Sequence, residues 1–439
     1  GRFVVRQSSL VSFAALVVVA VNGCSSDKGG ANNGDGGQLS EASGGTLQGG
    51  GGAGTTNTGG SGAPQGGTRG SGGTSPSGTG TGGASPSGTG GVNAGTSPAA
   101  VLAAKLGKTH FLIGMGNDLN NDHDQDGAYT LGTTLDVHYA YLVGLMGQGG
   151  WPDWNAGGTF VNALTDTAKK HGVVPMFTLY SMAAQGEGNI SALTSDAYMQ
   201  PYWDGAKLMF QRLGVFAGPA MVQFEPDFWG FAQQNSPGGD PSKLPVHVRS
   251  LAPDCASQPD TLVGMGKCLV ALGRKYAPKA VLGFHASVWA DPDPAKIATF
   301  LVAVGAGDAD FLTIDTLDRD AGCYEAHTDP NCQRGSTTGY YWDETNKTSP
   351  NFHDHLAVVK QLVQGVGKPM LWWQTPFGVP STTPGGTSGK YRDDRAHYLF
   401  AHVDEFIAAG GVGAVFGTGA ANHTYIEADV GQFKAAFAK

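Results

Sequence analysis

Eight short apolar runs, separated for the most part by segments of helical period, constrain this sequence more than any other feature. The runs are His110–Gly114, Leu135–Tyr141, Val173–Tyr180, Met221–Glu225, Val281–His285, Phe311–Asp315, Met370–Gln374 and Gly413–Gly417. Runs of this length suit strands buried on both faces, as in a parallel sheet covered by helices. Helical patterns occupy Thr159–Lys170, Asp196–Leu213, Thr261–Lys275, Pro294–Val304, His353–Val366 and Arg392–Ala409, with a closing helix over Gly431–Ala438. Gly172 and Gly410 follow two of them, where a left-handed cap is expected. Eight strands alternating with helices across residues 98–439 predict an α/β fold, a (β/α)8 TIM barrel. An open doubly wound sheet is the alternative. It normally carries a Gly-rich phosphate loop after its first strand, which Gly114-Met115-Gly116-Asn117-Asp118 does not make. Asp118–Thr133 has no helical period and departs from a regular barrel.

The remainder of the chain is of another kind. Arg2 and Arg6 precede an apolar run from Leu10 to Val21, which is too short for a comfortable membrane span and too apolar for a linker. It ends in Val21-Asn22-Gly23-Cys24 and resembles a bacterial lipoprotein signal, in which a small residue precedes a cysteine lipidated after cleavage. Residues 1–24 are therefore expected to be a signal, with Cys24 as lipid site and membrane anchor; ordinary cleaved secretion is the alternative. Ser25 after the cysteine points to the outer membrane or cell surface. Residues 25–97 are Gly/Ser/Thr-rich and repeat Ser75-Pro76-Ser77-Gly78-Thr79-Gly80 as Ser85-Pro86-Ser87-Gly88-Thr89-Gly90. Such a segment cannot bury enough apolar surface to offset its entropy, so it is expected to be a disordered tether with a reach of roughly 45 Å. Net charge is −9 without a Lys/Arg-rich run, which disfavours a nucleic-acid partner.

Export also bears on the cysteines. Besides Cys24, four remain, and an oxidising compartment favours two disulfides. Of three connectivities we expect the local one, Cys255–Cys268 and Cys323–Cys332; zinc is the rival, without CxxC spacing to support it.

A barrel of this kind builds its active site at the C-terminal ends of its strands. Met221-Val222-Gln223-Phe224-Glu225-Pro226-Asp227-Phe228-Trp229 ends an apolar run in two carboxylates and aromatics. The other ends offer Asn117 and Asp118, Asp136 and His138, Tyr180, His285 with Trp289, Asp315 with Asp318 and Asp320, Trp373 with Gln374, and Thr418 with Asn422 and His423. Asp136 and His138 share a strand face, where they bind substrate hydroxyls or satisfy each other. Trp151 and Trp154, in a Gly-flanked loop, suit stacking on a sugar face or packing onto the body. Of Trp372 and Trp373, alternation sends one indole to the barrel axis and one to the helices.

With these residues, the domain from Pro98 to Lys439 resembles the (β/α)8 glycoside hydrolase superfamily. In its largest retaining clan a strand-4 glutamate is the general acid/base and a strand-7 glutamate the nucleophile. That resemblance implies the first role for Glu225, although Phe224 stands where the clan usually has Asn. Leu371-Trp372-Trp373-Gln374-Thr375-Pro376 has no acid, which excludes a direct transfer of that mechanism. Asp315 is then the candidate second carboxylate, as base or nucleophile, and Glu225 the acid. Strands 4 and 6 are not adjacent, so a wide gap and inversion are expected. Asp136, His138, Trp151, Trp154, Tyr180, Asp227, Trp229, His285, Asp318, Asp320, Trp373 and Gln374 are candidate contacts to a polysaccharide or oligosaccharide.

Three other readings stand beside this one. A barrel without its second acid would be an inactive carbohydrate-binding or scaffold protein. A metal-dependent hydrolase would need His138, His285 and an Asp to converge. Asp122, Asp124 and Asp126 imitate the start of a Ca²⁺ loop, but Thr133 stands where a closing Glu belongs; no cofactor is otherwise expected. No GxSxG elbow supports a serine hydrolase.

Overall fold

A computed structural model describes residues 97–116, 135–315, 342–375, 395–417 and 435. The signal and tether with Cys24, the Asp122–Asp124–Asp126 loop, Asn117 and Asp118, Asp318 and Asp320, Cys323 and Cys332, Thr418, Asn422 and His423, and the closing helix as a whole lie outside the described residues. No helix among the described residues is long and apolar enough to cross a membrane.

Eight parallel strands close into a barrel in sequence order: β1 (Leu112–Gly116), β2 (Val137–Val143), β3 (Val174–Tyr180), β4 (Ala220–Phe224), β5 (Ala280–His285), β6 (Phe311–Asp315), β7 (Met370–Thr375) and β8 (Gly411–Phe416). The helices are α1 (Pro98–Lys105), α2 (Trp151–Trp154), α3 (Phe160–His171), α4 (Asp196–Phe216), α5 (Phe228–Asn235), α6 (Leu262–Tyr276), α7 (Pro294–Ala303), α8 (Phe352–Val366), α9 (Arg395–Ala401) and α10 (Val403–Ala408). The doubly wound alternative is excluded, because β8 pairs with β1 from Leu112↔Gly413 to Met115↔Phe416.

Strand alternation sorts the core into two layers. Val222, Phe224, Leu282, Phe284, Leu312, Ile314 and Trp372 pack outward with the helices. Leu112, Val137, Val174, Met176, Met221, Val281, Phe311 and Leu371 fill the lower interior, where Leu102 and Ala103 of α1 and Leu106 just after it join them. Helix α1, which no apolar period signals, thus plugs the N-terminal mouth. Its start is capped by Ser97, whose hydroxyl oxygen accepts from the Ala100 N–H at 3.2 Å, with Pro98 in the first turn. Gly283 has a packing reason: a Cβ there would stand 2.5 Å from the Phe311 ring.

Two local expectations change. The span expected as one helix to Ala409 is two, α9 and α10, parted at His402, which has φ −133° and stacks on Tyr398 at 4.2 Å. Trp151 and Trp154 form the short helix α2 rather than an open loop. The Cys255–Cys268 disulfide forms as expected and ties the 3-10 turn at Pro253–Cys255 to α6. Replacing both by Ala is expected to lower unfolding free energy by about 3 kcal/mol, read from urea titration of the full chain, since the bond closes a short loop of the unfolded chain. An unchanged midpoint would show that the turn is held by its packing alone.

Candidate active site

The end of β4 shapes the site. Glu225 has φ +42° and Asp227 φ +65°, on either side of Pro226, so the chain turns sharply before α5. Left-handed non-glycine residues cost about 1–2 kcal/mol each and persist only where the surroundings hold them. Here the Glu225 N–H donates to the Leu179 carbonyl at 2.7 Å, and the Trp229 indole N–H to the Phe224 carbonyl at 2.9 Å. The N–H groups of Gly230 and Phe231 donate to the Asp227 carbonyl at 3.0 and 3.2 Å.

This turn sends the two acidic side chains to different places. Glu225 is fully buried, and its carboxylate points into the junction of β3 and α4. There it accepts from the N–H groups of Ser181 at 3.3 Å and Met182 at 2.9 Å. Burial pushes its carboxyl up to about 8, against the opposing pull of those N–H groups and of the Tyr202 hydroxyl. Tyr202 lies beside it with its own ionisation pushed well up by burial and by Glu225, although its hydroxyl falls short of hydrogen-bond geometry. The expectation placed Glu225 at an open rim; its carboxyl is instead enclosed in the barrel wall at 0 % exposure.

Asp227 is half-buried and meets His285 and Asp315 instead: one ligand atom from each lies within 4.8 Å of the others. The Trp289 indole N–H donates to Asp227 Oδ1 at 3.3 Å. His285 is held from below by a polar layer. The Thr178 hydroxyl donates to Gln223 Oε1 at 2.9 Å, and Gln223 Nε2 donates to Thr313 Oγ1 at 2.9 Å. His285 Nδ1 is 3.3 Å from both Gln223 Nε2 and Thr313 Oγ1. Engaging Nδ1 fixes the ring and leaves Nε2 on its opposite side. Two carboxylates and an imidazole so placed could hold a divalent metal, or share a proton.

Aromatic groups ring this triangle. Trp373 lies 5.5 Å from the His285 ring and 5.8 Å from Tyr141, which lies 5.8 Å from Tyr180 at the end of β3. Gln374, with φ +50° at a break in the β7–β8 register, donates from its amide to the Tyr141 hydroxyl. Trp373 therefore faces the interior and Trp372 the helices, where its indole N–H donates to His355 at 2.8 Å. Among the described residues, the Trp373 indole N–H and the hydroxyls of Ser287 and Thr375 are buried polar groups without a hydrogen-bond partner.

Several expected contacts lie elsewhere. Asp136 precedes β2 at the opposite, N-terminal end, where Lys108 at 2.9 Å, His110 at 3.0 Å and the Ile113 N–H at 3.0 Å take its carboxylate. His138 is buried and, out of phase with Val137 and Tyr139, turns toward the helices. Trp151 is in the core at 0 % exposure, and Trp229 at 1 % packs on Phe284 at 4.9 Å. Trp154 packs edge-on to Phe160 at 5.0 Å, with its indole N–H on the Gly149 carbonyl. A stacking platform needs an accessible ring face, which core packing denies to Trp151 and Trp229. Tyr141, Gln223, Thr313 and Ser287 were not anticipated. The two-residue period of Tyr139-Ala140-Tyr141 and Met221-Val222-Gln223 was the signal that places Tyr141 and Gln223 inside.

No family model matches the chain, and no curated protein matches its sequence. Among solved structures, an endoglucanase Cel6 from Mycobacterium tuberculosis is similar at 14 % identity over 66 % of this chain and 74 % of its own, with a TM-score of 0.33. A GH113 β-1,4-mannanase is similar at 10 % identity over 75 % and 99 %, with a TM-score of 0.43. A D-psicose 3-epimerase from Clostridium cellulolyticum is similar at 10 % identity over 74 % and 97 %, with a TM-score of 0.36. By their names these proteins differ in chemistry, and the likeness carries no activity to this chain; the barrel rests on its own strand pairing.

Proposed function

We propose that the domain is a glycoside hydrolase acting on an extracellular or cell-surface polysaccharide, with Asp227 and Asp315 as its carboxylate pair. The observation that carries this reading is the approach of Asp227, Asp315 and His285 to within 4.8 Å at the C-terminal end of the barrel. Glycoside hydrolysis needs one carboxyl that gives a proton to the leaving group and one carboxylate that acts on the anomeric carbon. Asp227, the more exposed of the two, serves as general acid. It gives its proton to the glycosidic oxygen as the bond from that oxygen to the anomeric carbon breaks. Asp315 attacks the same carbon from the other side, and water then releases the sugar with Asp227 as base. One oxygen of each carboxylate lies within 4.8 Å of the other, nearer the roughly 5–5.5 Å of retaining enzymes than the wider gap of inverting ones, which favours retention over the inversion expected from strand order. Tyr141 and Tyr180, both part-exposed, offer ring faces and edges to a sugar, and the unpartnered groups of Trp373, Ser287 and Thr375 offer hydrogen bonds to its hydroxyls.

The test is release of reducing ends by the full chain from a panel of β-glucan, β-mannan, β-xylan and α-glucan, with Asp315→Asn as control. Hydrolysis that Asp315→Asn lowers by about 10²-fold or more supports the pair. Binding without hydrolysis supports the inactive carbohydrate-binding alternative, and activity indifferent to Asp315→Asn removes Asp315 from the mechanism. The same triangle favours a second reading, a metal-assisted hydrolase with the cation on Asp227, His285 and Asp315. Activity lost on chelation and restored by Zn²⁺ or Mn²⁺ would establish it. His138, which that reading also required, is turned away. Export and anchoring through Cys24 belong to the proposal, and incorporation of labelled palmitate, abolished by Cys24→Ser, is the corresponding test.

A further inference from the structure

Glu225 is a fully buried carboxyl that takes no part in the proposed bond-breaking. Burying a carboxyl is costly unless its oxygens are satisfied, and this one engages them on one short piece of chain. Its carboxylate takes the N–H groups of Ser181 and Met182, while its own N–H reaches Leu179, so every one of these partners lies at the end of β3 or just beyond. Helix α4 grips the same place, since the Tyr198 hydroxyl donates to the Ser181 carbonyl at 2.7 Å. The end of β4 is thereby latched to a segment that is itself fastened from the helix layer. Between the latch and Asp227 stands only Pro226, whose ring fixes its φ and transmits the direction taken at Glu225. Asp227 has the second left-handed φ of the turn, a conformation it does not prefer, and its side chain is held by the Trp289 indole.

We infer that Glu225 is a positioning residue: its buried carboxyl, latched to the Ser181 and Met182 amides, holds the Glu225–Pro226–Asp227 turn that aims Asp227 at Asp315. The inference rests on the assignment of Asp227 as the acid, and it adds how that acid is held. Loss of the latch lets the turn relax toward right-handed backbone and swings the Asp227 carboxyl away from the scissile bond. A displacement of about 1 Å at a reacting group costs on the order of 10²-fold in rate. The cost falls on proton delivery to the leaving group, not on sugar binding.

The experiment compares wild type, Glu225→Gln, Asp227→Asn and the surface control Val215→Ser as full chains. Two readouts are taken. One is the Trp289 indole N–H resonance in ¹H–¹⁵N spectra, which reports the Asp227 contact without any substrate. Glu225→Gln is expected to shift it, whereas Val215→Ser leaves it in place. The other is hydrolysis of the panel polysaccharides beside 2,4-dinitrophenyl glycosides of the same sugars, whose leaving group needs little protonation. Glu225→Gln is expected to lose about 10²-fold in kcat on polysaccharide at similar KM and about tenfold or less on the aryl glycosides. A folded Glu225→Gln with an unmoved Trp289 resonance overturns the inference. If that variant does not fold, Tyr198→Phe, which removes only the hydroxyl holding the Ser181 carbonyl, takes its place: a shifted Trp289 resonance supports the latch and an unmoved one overturns it. A Trp289 shift in Glu225→Gln, together with full activity in Asp227→Asn, would keep the latch and discard Asp227 as the acid.

Discussion

Asp227→Asn is expected to lower kcat on polysaccharide by about 10²–10⁴-fold, the range that a general acid contributes. Asn keeps an oxygen for the Trp289 indole and nearly the same volume, so the turn and the sugar contacts are retained while the transferable proton is lost. The loss should shrink on 2,4-dinitrophenyl glycosides, whose phenolate departs without protonation. Asp315→Asn should behave differently: without the nucleophile, both classes of substrate lose activity together. Steady-state kinetics of the two variants on the two substrate types separates the roles. Equal losses in Asp227→Asn across both leaving groups would count against its role as acid, and near wild-type activity on polysaccharide would sink the pair altogether.

Stability of the full chain is expected to fall by about 2 kcal/mol between pH 6.5 and 8, and Glu225→Gln should flatten that slope. In the native state burial holds the Glu225 proton to about pH 8, whereas an unfolded glutamate releases it near its ordinary value of 4.5. Between those values the native state binds more protons, so raising the pH favours unfolding. His355 acts in the opposite sense. Burial, and then the nearby Arg395 charge, hold its imidazole down to about 3, so the unfolded chain takes up the proton first and acid destabilises below about 6.5. The two slopes oppose each other between roughly 4.5 and 6.5, which leaves the interval above 6.5 as the window where Glu225 acts without that opposition. Urea titrations across that interval test it. A wild-type midpoint independent of pH there would mean that Glu225 ionises within the fold without penalty.

The barrel was legible because its signal is repetitive and local. A strand such as Gly411–Phe416 buried on both faces must be apolar whatever it meets, and eight short, largely apolar runs alternating with helices leave few topologies. Period two also carried the split of Trp372 from Trp373. The same period, applied to Asp136 and His138, needed one more fact: where β2 begins. Starting at Val137, it leaves Asp136 at the wrong end and His138 facing the helices. Helix α1 gave no amphipathic signal, being Pro98-Ala99-Ala100-Val101-Leu102-Ala103-Ala104-Lys105, and its function as a plug depends on a mouth that exists only once the barrel closes.

Local period, spacing and composition were enough to read the strands, most of the helices between them, the Cys255–Cys268 staple, and the concentration of acids and aromatics after β4. They were not enough to pair the acids. Along Phe224-Glu225-Pro226-Asp227 the strand period would aim Glu225 inward, and the two left-handed residues reverse that outcome. Their conformation is set by partners at Leu179, Ser181 and Met182, more than forty positions earlier, and no local pattern records a contact made across a barrel wall.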